Sequence, residues 1–145
     1  MRTPLLRLRE NKYGPIIRAE FEHRMVPYTW GMAFARQESA FRPQSFNSMG
    51  GDGRRGGAFG MFQLTLLTAR TLGFSGQPTE LLNPQVNAMW AATLVSDLYA
   101  RYAGKLTDVA AAYNSGKPFA KAPNVTRAIY VPNIVRYVAE YGSLP

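Results

Sequence analysis

The stretch "NPQVNAMWAATLVSDLYARYAG", residues 83 to 104, leaves a chain little choice of local structure. Asn83 suits the N-cap, where its side-chain oxygen can accept a free backbone N–H. Pro84 suits the first helical position, where a missing N–H costs nothing. Gly104 supplies a left-handed stop. Between them Met89, Leu94, Val95, Leu98 and Tyr102 recur at helical spacing. Such a helix has to bury its apolar stripe against other elements, and the surrounding sequence repeats the same punctuation.

Residues 13–24 can form a first helix, and Pro27 suits the first turn of a second over 27–40. Thr65 can cap a helix that reaches Leu72 and stops at Gly73. Thr107 can cap a short helix through Tyr113, closed by Gly116. Val131, Ile134, Val135 and Val138 mark a last helix closed by Gly142. The expectation is a mainly α chain. Its 145 residues suffice for one domain with one core, and neither a repeat nor a linker divides them.

One segment interrupts this pattern. "GGDGRRGG", residues 50–57, has five glycines and no apolar side chain, and it is expected to be a mobile surface loop. It contains G-x-G-x-x-G at Gly51, Gly53 and Gly56. That fingerprint needs a preceding strand and a βαβ unit, which are not visible here, so a dinucleotide site is rejected.

Composition removes further classes. With no Cys there is neither a disulfide nor thiol chemistry, and a lone His23 argues against a His-based metal site or a serine triad. No apolar run is long enough to span a bilayer, and the basic N-terminus "MRTPLLRLRE" breaks up before a signal-peptide core develops. The net charge of +8 asks for an anionic partner: nucleic acid, an anionic membrane or the bacterial wall. The positive charge is spread along the chain, with no zinc or RNP-type signature, so nucleic acid is not expected.

The one chemically suggestive acid is Glu38, in "YTWGMAFARQESAF". Trp30, Phe34 and Phe41 lie on one stripe, with Ala35 and Gly31 one and two turns before the acid. Burial there raises a carboxyl pKa, and the negative end of a helix raises it further. Two readings stay open at this level. Glu38 is a general acid of glycoside cleavage, or its stem packs while its head reaches water. Among the other acids, Glu20, Glu22, Asp97 and Glu140 look like solvated helix faces, and Asp108 follows the Thr107 cap. Asp52 alone sits in a loop close after Glu38, as a speculative second carboxylate.

Five motifs occur in order. "VPYTWGMAFARQESAFRP" resembles the Glu-Ser helix that opens the lytic transglycosylase (SLT-type) domain shared with goose-type lysozymes. "GAFGMFQLTLLTARTLG" is similar to that family's Gly-Leu-Met-Gln segment, "LLNPQVNAMWAATLVSDL" to its Asp-Pro-x-x-Asn helix, "AAYNSG" to its Ala-Ala-Tyr-Asn-Ala-Gly, and "TRAIYVPNIVRY" to its closing Tyr-Val helix. The resemblance covers residues 25–142. Met61 and Phe62 stand where Leu and Met are common, Ser115 replaces Ala, and the glycine-rich insert lengthens the Glu38–Gln63 spacing.

The resemblance implies a lysozyme-like fold, mainly α (α+β lysozyme-like): a single compact helical domain with a glycan-binding cleft and a short irregular hairpin at the glycine loop. Residues 1–24 would be an N-terminal helical extension packed on a domain of residues 25–145. It implies Glu38 as catalytic acid/base, and Ser39 as the neighbour that holds its geometry. Gly60, Met61 and Gln63 would line the cleft, Tyr113 and Asn114 would face Glu38, and Tyr130 would lie near the site. The Tyr113 hydroxyl is expected to bond Glu38 or the sugar, and Asn87 reads as structural. The implied reaction is cleavage of the MurNAc–GlcNAc β-1,4 bond of peptidoglycan with formation of 1,6-anhydro-MurNAc, without metal or cofactor. The alternatives are hydrolysis of the same bond with Asp52 positioning water, and a noncatalytic wall-binding or virion structural module. Action at the periplasm or cell wall is expected, and the short, Cys-free chain fits a phage lysin, a virion-associated enzyme or a secretion-machine assembly. Arg54 and Arg55 are expected to contact anionic wall groups.

Overall fold

The structure, a computed structural model, describes residues 2–48 and 56–144. The glycine loop with Asp52, Arg54 and Arg55 falls largely on residues 49–55, outside the described residues. Six α-helices run in order: α1 Pro4–His23, α2 Tyr28–Ser39, α3 Leu66–Leu72, α4 Pro84–Arg101, α5 Leu106–Ser115 and α6 Val131–Gly142. Three two-residue strands, β1 Phe46–Asn47, β2 Ala58–Phe59 and β3 Leu64–Thr65, form an antiparallel sheet in that order. Phe46 pairs with Phe59, and Phe59 with Leu64. The mainly α architecture with a short hairpin is thus as expected. No described helix is long and apolar enough to cross a membrane.

The capping signals of α4 act as read. The Asn83 side chain accepts from the N–H groups of Gln85 at 2.9 Å and Val86 at 3.1 Å. Thr65 caps α3 through the N–H of Thr68 at 3.1 Å, and Gly73 closes it at φ 118°. Three local expectations need correction. The first helix begins at Pro4 rather than at residue 13, because Thr3 caps it by accepting from the Leu6 N–H at 3.1 Å. Helix α5 begins at Leu106, so Thr107 lies inside it and caps nothing. Asp108 instead accepts from the Phe119 N–H at 2.9 Å, tying the segment after α5 back to its first turn.

The main core gathers side chains from α1, α2, α4, α5 and α6 and from the chain between β2 and β3, centred on Ile17, Phe21, Phe34, Phe62, Val95, Val109 and Ile134, all fully buried, and Phe59, Ala69, Phe74 and Leu81 form a smaller second cluster. Helices α1 and α2 approach closely at Gly31. A Cβ there would lie 2.6 Å from Ile17 Cγ2 and 2.7 Å from Phe21 Cδ1, which is why that position has no side chain. Helix α1 is also held at its start. The buried Glu10 accepts from Arg2 Nε at 3.0 Å and from the Tyr141 hydroxyl of α6. Glu140 is not a solvated acid: it pairs with Arg36 of α2 at 3.1 Å, and the Arg36 guanidinium stacks 4.0 Å from the Tyr137 ring centre. Helices α2 and α6 are thereby fixed side by side, and the site lies between them.

Candidate functional site

Glu38 stands in the last turn of α2. Trp30, Gly31, Phe34 and Ala35 of the same helix are buried, so the helix cannot rotate to free its acid into water. The helix ends on two successive left-handed residues, Ala40 at φ 54° and Phe41 at φ 60°. Such conformations cost energy in residues with a Cβ and persist where the surrounding packing imposes them. Here Phe41 is fully buried and the turn sends the chain away directly after the acid.

Burial pushes the Glu38 carboxyl up from 4.5 to about 7, and a hydrogen bond donated by Tyr130 to its Oε2 pulls the other way. The phenol is itself displaced upward, by burial and by the neighbouring carboxyl, so it remains a donor. Tyr130 ends a π-helical turn, Thr126–Tyr130, that precedes α6. Wide turns of this kind re-aim a side chain relative to a regular helix and recur at functional sites. Thr126 anchors the turn by donating to Asn114 Oδ1 at 2.7 Å, which links it to the end of α5.

The opposite wall is the chain between β2 and β3. Gly60 is at φ 78°, and a Cβ on it would lie 2.5 Å from Asn87 Nδ2 and 2.7 Å from the Leu81 carbonyl. The fully buried Asn87 donates to the carbonyls of Phe59 at 2.8 Å and Leu81 at 2.9 Å and accepts from the Phe62 N–H at 2.9 Å. Its structural reading therefore has a specific content: it pins both ends of residues 59–62. Ser39 donates to the Met61 carbonyl at 2.8 Å and accepts from the Arg42 N–H at 2.9 Å, fastening the same segment to the residue beside Glu38. Gln63, at φ 48°, donates through Nε2 to the carbonyls of Gly60 at 3.0 Å and Ser45 at 3.2 Å.

The structure sorts the expected residues into distinct positions. Tyr130, not Tyr113, bonds Glu38. The Tyr113 hydroxyl donates instead to the Phe62 carbonyl at 2.6 Å, with its ring 4.6 Å from that of Phe34. Met61 is fully buried, so its side chain belongs to the core and only its backbone joins the site. Asn114 is exposed and lines a cavity of about 220 Å³ with Gln37, Val125, Ile129 and Tyr130. Val125, Thr126 and Ile129 had no sequence signal, because a π-helical turn breaks the 3.6-residue periodicity by which a helix face is recognised, and Gln37 is a polar residue on a regular helix that nothing local marks out.

No second carboxylate perturbs Glu38 among the described residues. The other described acids are engaged elsewhere. Glu20 pairs with Arg24, Glu22 with Arg18 and Asp97 with Arg101, Glu80 caps the turn Pro78–Leu82, and Glu10, Asp108 and Glu140 are held as described above. Among the described residues there is also no cluster of three potential metal-binding side chains. The arrangement is therefore one carboxylic acid that changes protonation state near neutrality, aimed by a phenol. Removing that phenol leaves burial unopposed. In Tyr130→Phe, carbon NMR of the Glu38 carboxyl is expected to show titration above the wild-type value of about 7. An unchanged titration would mean that the bond does not hold the acid down.

Comparison with known proteins places this arrangement in context. The family model of the transglycosylase SLT domain matches residues 15–127. A Haemophilus influenzae protein assigned as a soluble lytic murein transglycosylase is 29% identical over 111 residues, covering 73% of this chain and 18% of that protein. An inactive glutamate-to-glutamine variant of the lytic transglycosylase Slt from Pseudomonas aeruginosa superposes with a TM-score of 0.75 at 24% identity, over 88% of this chain and 23% of the other. The 70 kDa soluble lytic transglycosylase of Escherichia coli gives 0.74 at 25% identity, over 89% of this chain and 24% of the other. A 70-kDa soluble lytic transglycosylase in complex with bulgecin A gives 0.73 at 23% identity, over 92% of this chain and 25% of the other. The chain thus spans a quarter or less of the length of these relatives.

Proposed function

This chain belongs to the transglycosylase SLT domain family, and from that premise we propose that it is a peptidoglycan lytic transglycosylase that uses Glu38 as its single acid/base. The observation that carries the reading is Glu38 itself: a carboxyl raised to about 7, held by Tyr130, with no second carboxylate beside it among the described residues. A conventional glycosidase needs two carboxylates. A transglycosylase needs one that serves twice.

In the proposed reaction, protonated Glu38 donates to the oxygen of the MurNAc–GlcNAc β-1,4 bond. The C1–O bond breaks and GlcNAc leaves with a restored 4-hydroxyl. The positive charge developing at C1 is met by the carbonyl oxygen of the sugar's own N-acetyl group. Glu38, now a carboxylate, takes the proton of the MurNAc 6-hydroxyl as that oxygen closes on C1. The 1,6-anhydro ring forms, the acid is again protonated, and no water is consumed. A carboxyl that titrates near neutrality is suited to both halves, because neither protonation state is strongly favoured. In this reading Asn114, Val125 and Ile129, which line the cavity beside Tyr130, hold the glycan, and Gly60, Gln63, Ser39, Tyr113 and the Met61 backbone keep the walls in register. The net charge of +8 suits an anionic wall.

The test is the product. Mass spectrometry of muropeptides released from purified sacculi in heavy-oxygen water is expected to show 1,6-anhydro ends without solvent oxygen, and Asp52→Ala is expected to keep near-normal activity. Reducing ends that carry solvent oxygen and vanish in Asp52→Ala would make the chain a hydrolase.

A further inference from the structure

A second cavity, of about 500 Å³, lies between the first half of α1 and the turn that follows Glu38. Leu8, Arg9, Lys12 and Tyr13 line it from α1, and Phe41, Arg42, Pro43, Gln44 and Ser45 from the turn. Three of these side chains are cationic and none is acidic. Arg9 and Lys12 form no ion pair with a described residue, although most described acids are paired with a cation. The floor is apolar: Phe41 is fully buried, and Leu8 is 66% exposed. A site of this kind is built for a ligand with aliphatic stretches and carboxylate ends, because cations over an apolar floor attract an anion and exclude water from its hydrocarbon part.

The position says which ligand reaches it. Arg42 donates to the Ser39 carbonyl at 3.3 Å, next to Glu38. The Ser45 carbonyl receives the Gly60 N–H at 2.7 Å and the Gln63 side chain at 3.2 Å. The turn thus forms the cavity on one side and buttresses the glycan site on the other. A substituent on a strand bound beside Glu38 would extend toward it. The α1 residues that complete the cavity all precede residue 15, where the family match begins.

The geometry points to a subsite for the carboxylate-bearing peptide that branches from the glycan, with Arg9, Lys12 and Arg42 receiving its carboxylates and Leu8 and Tyr13 its aliphatic parts. This inference rests on the proposed glycan substrate, but its first test does not. The isolated wall tripeptide, L-Ala-γ-D-Glu-meso-diaminopimelate, is titrated into the full chain by NMR at low salt. Shifts are expected in the amides of residues 8–13 and 41–45, and Arg9→Glu with Lys12→Glu is expected to remove them. Lys12 is exposed and Arg9 half-buried, and neither belongs to the core, so the double variant should fold, which circular dichroism checks.

In the second test, the double variant is compared with wild type on peptide-bearing strands and on strands stripped of peptide by an amidase. The same change of charge at Arg101 and Lys105, which line neither cavity, serves as control. The double variant is expected to lose kcat/KM roughly fivefold more on peptide-bearing than on stripped strands, as two modest surface charge contacts would give, and the control to lose equally on both. Equal loss on both strands, no tripeptide shifts, or shifts produced by a glycerol-phosphate polymer and not by the tripeptide would overturn the subsite. Tripeptide binding by a protein that cleaves neither strand would retain the subsite and sink the proposed activity.

Discussion

Glu38→Gln is expected to cut peptidoglycan cleavage on the order of 10²-fold or more, while making the protein more stable at alkaline pH. The two effects share one cause. Glutamine keeps the shape and can still accept the Tyr130 hydroxyl, but it has no proton to give. The stability effect follows from the raised pKa. In the folded chain Glu38 titrates at about 7, against 4.5 ordinarily. The native state therefore favours the protonated acid. That contribution is fully present below pH 4.5 and is lost as the pH rises through 7. Above pH 7 the wild type carries a charge in an apolar site, at a cost approaching about 3 kcal/mol from the size of the shift. Glutamine never carries it. Thermal unfolding should show the two proteins alike near pH 4 and the variant ahead at pH 8, the usual relation where an active group is kept in an uncomfortable place. A variant that cleaves within a few-fold of wild type would remove Glu38 from the mechanism. Curves that stay parallel across the pH range would remove the raised pKa.

The second large effect is expected at a residue with no chemistry of its own. Asn87→Ala should lower unfolding stability by about 3 kcal/mol or more, because three buried backbone groups lose their partner and water has no ready access to them. Those groups are the Phe62 N–H and the carbonyls of Phe59 and Leu81, at 2.8–2.9 Å from the amide. The segment they hold carries the Met61 carbonyl, which fixes Ser39, and the Phe62 carbonyl, which fixes Tyr113. Cleavage should therefore fall even at temperatures where the variant remains folded. Asn87→Asp should not rescue it, since a carboxylate can replace the acceptor but not the two donated bonds. Urea unfolding is the check. A loss of less than about 1 kcal/mol would be an ordinary substitution and would show that the clamp is dispensable.

Much of the helical framework was legible because it is local. The Asn83–Pro84 start of α4, the Thr65 cap of α3 and the glycines after α3 and α5 act within one turn of chain, where capping atoms and left-handed φ are decided by the residue itself. Where the signal was ambiguous, the reading slipped by a turn or more. Thr107 looked like a cap but lies inside α5. Thr3–Pro4 starts α1 ahead of the basic, weakly periodic "LLRLRE", which conceals a helix whose buried positions are few.

By itself, the sequence determined that the chain is mainly helical and that Glu38 occupies an apolar helix end. The raised pKa does not follow from that alone, since a glutamate head at a helix end can still reach water; burial in the folded chain decides it. Its order of motifs also determined the family. The tertiary structure alone decided who holds the acid. The sequence reading puts the Tyr113 hydroxyl on Glu38 or the sugar and Tyr130 only near the site. Which hydroxyl reaches Glu38 depends on the π-helical turn that re-aims Tyr130 and on the Phe62 carbonyl that claims Tyr113. It decided as well that Glu140 pairs with Arg36 and that residues 8–13 close a cationic pocket against the turn after Glu38. These are contacts between groups far apart in the chain. Neither capping nor periodicity encodes such distances, because both are properties of a few successive residues.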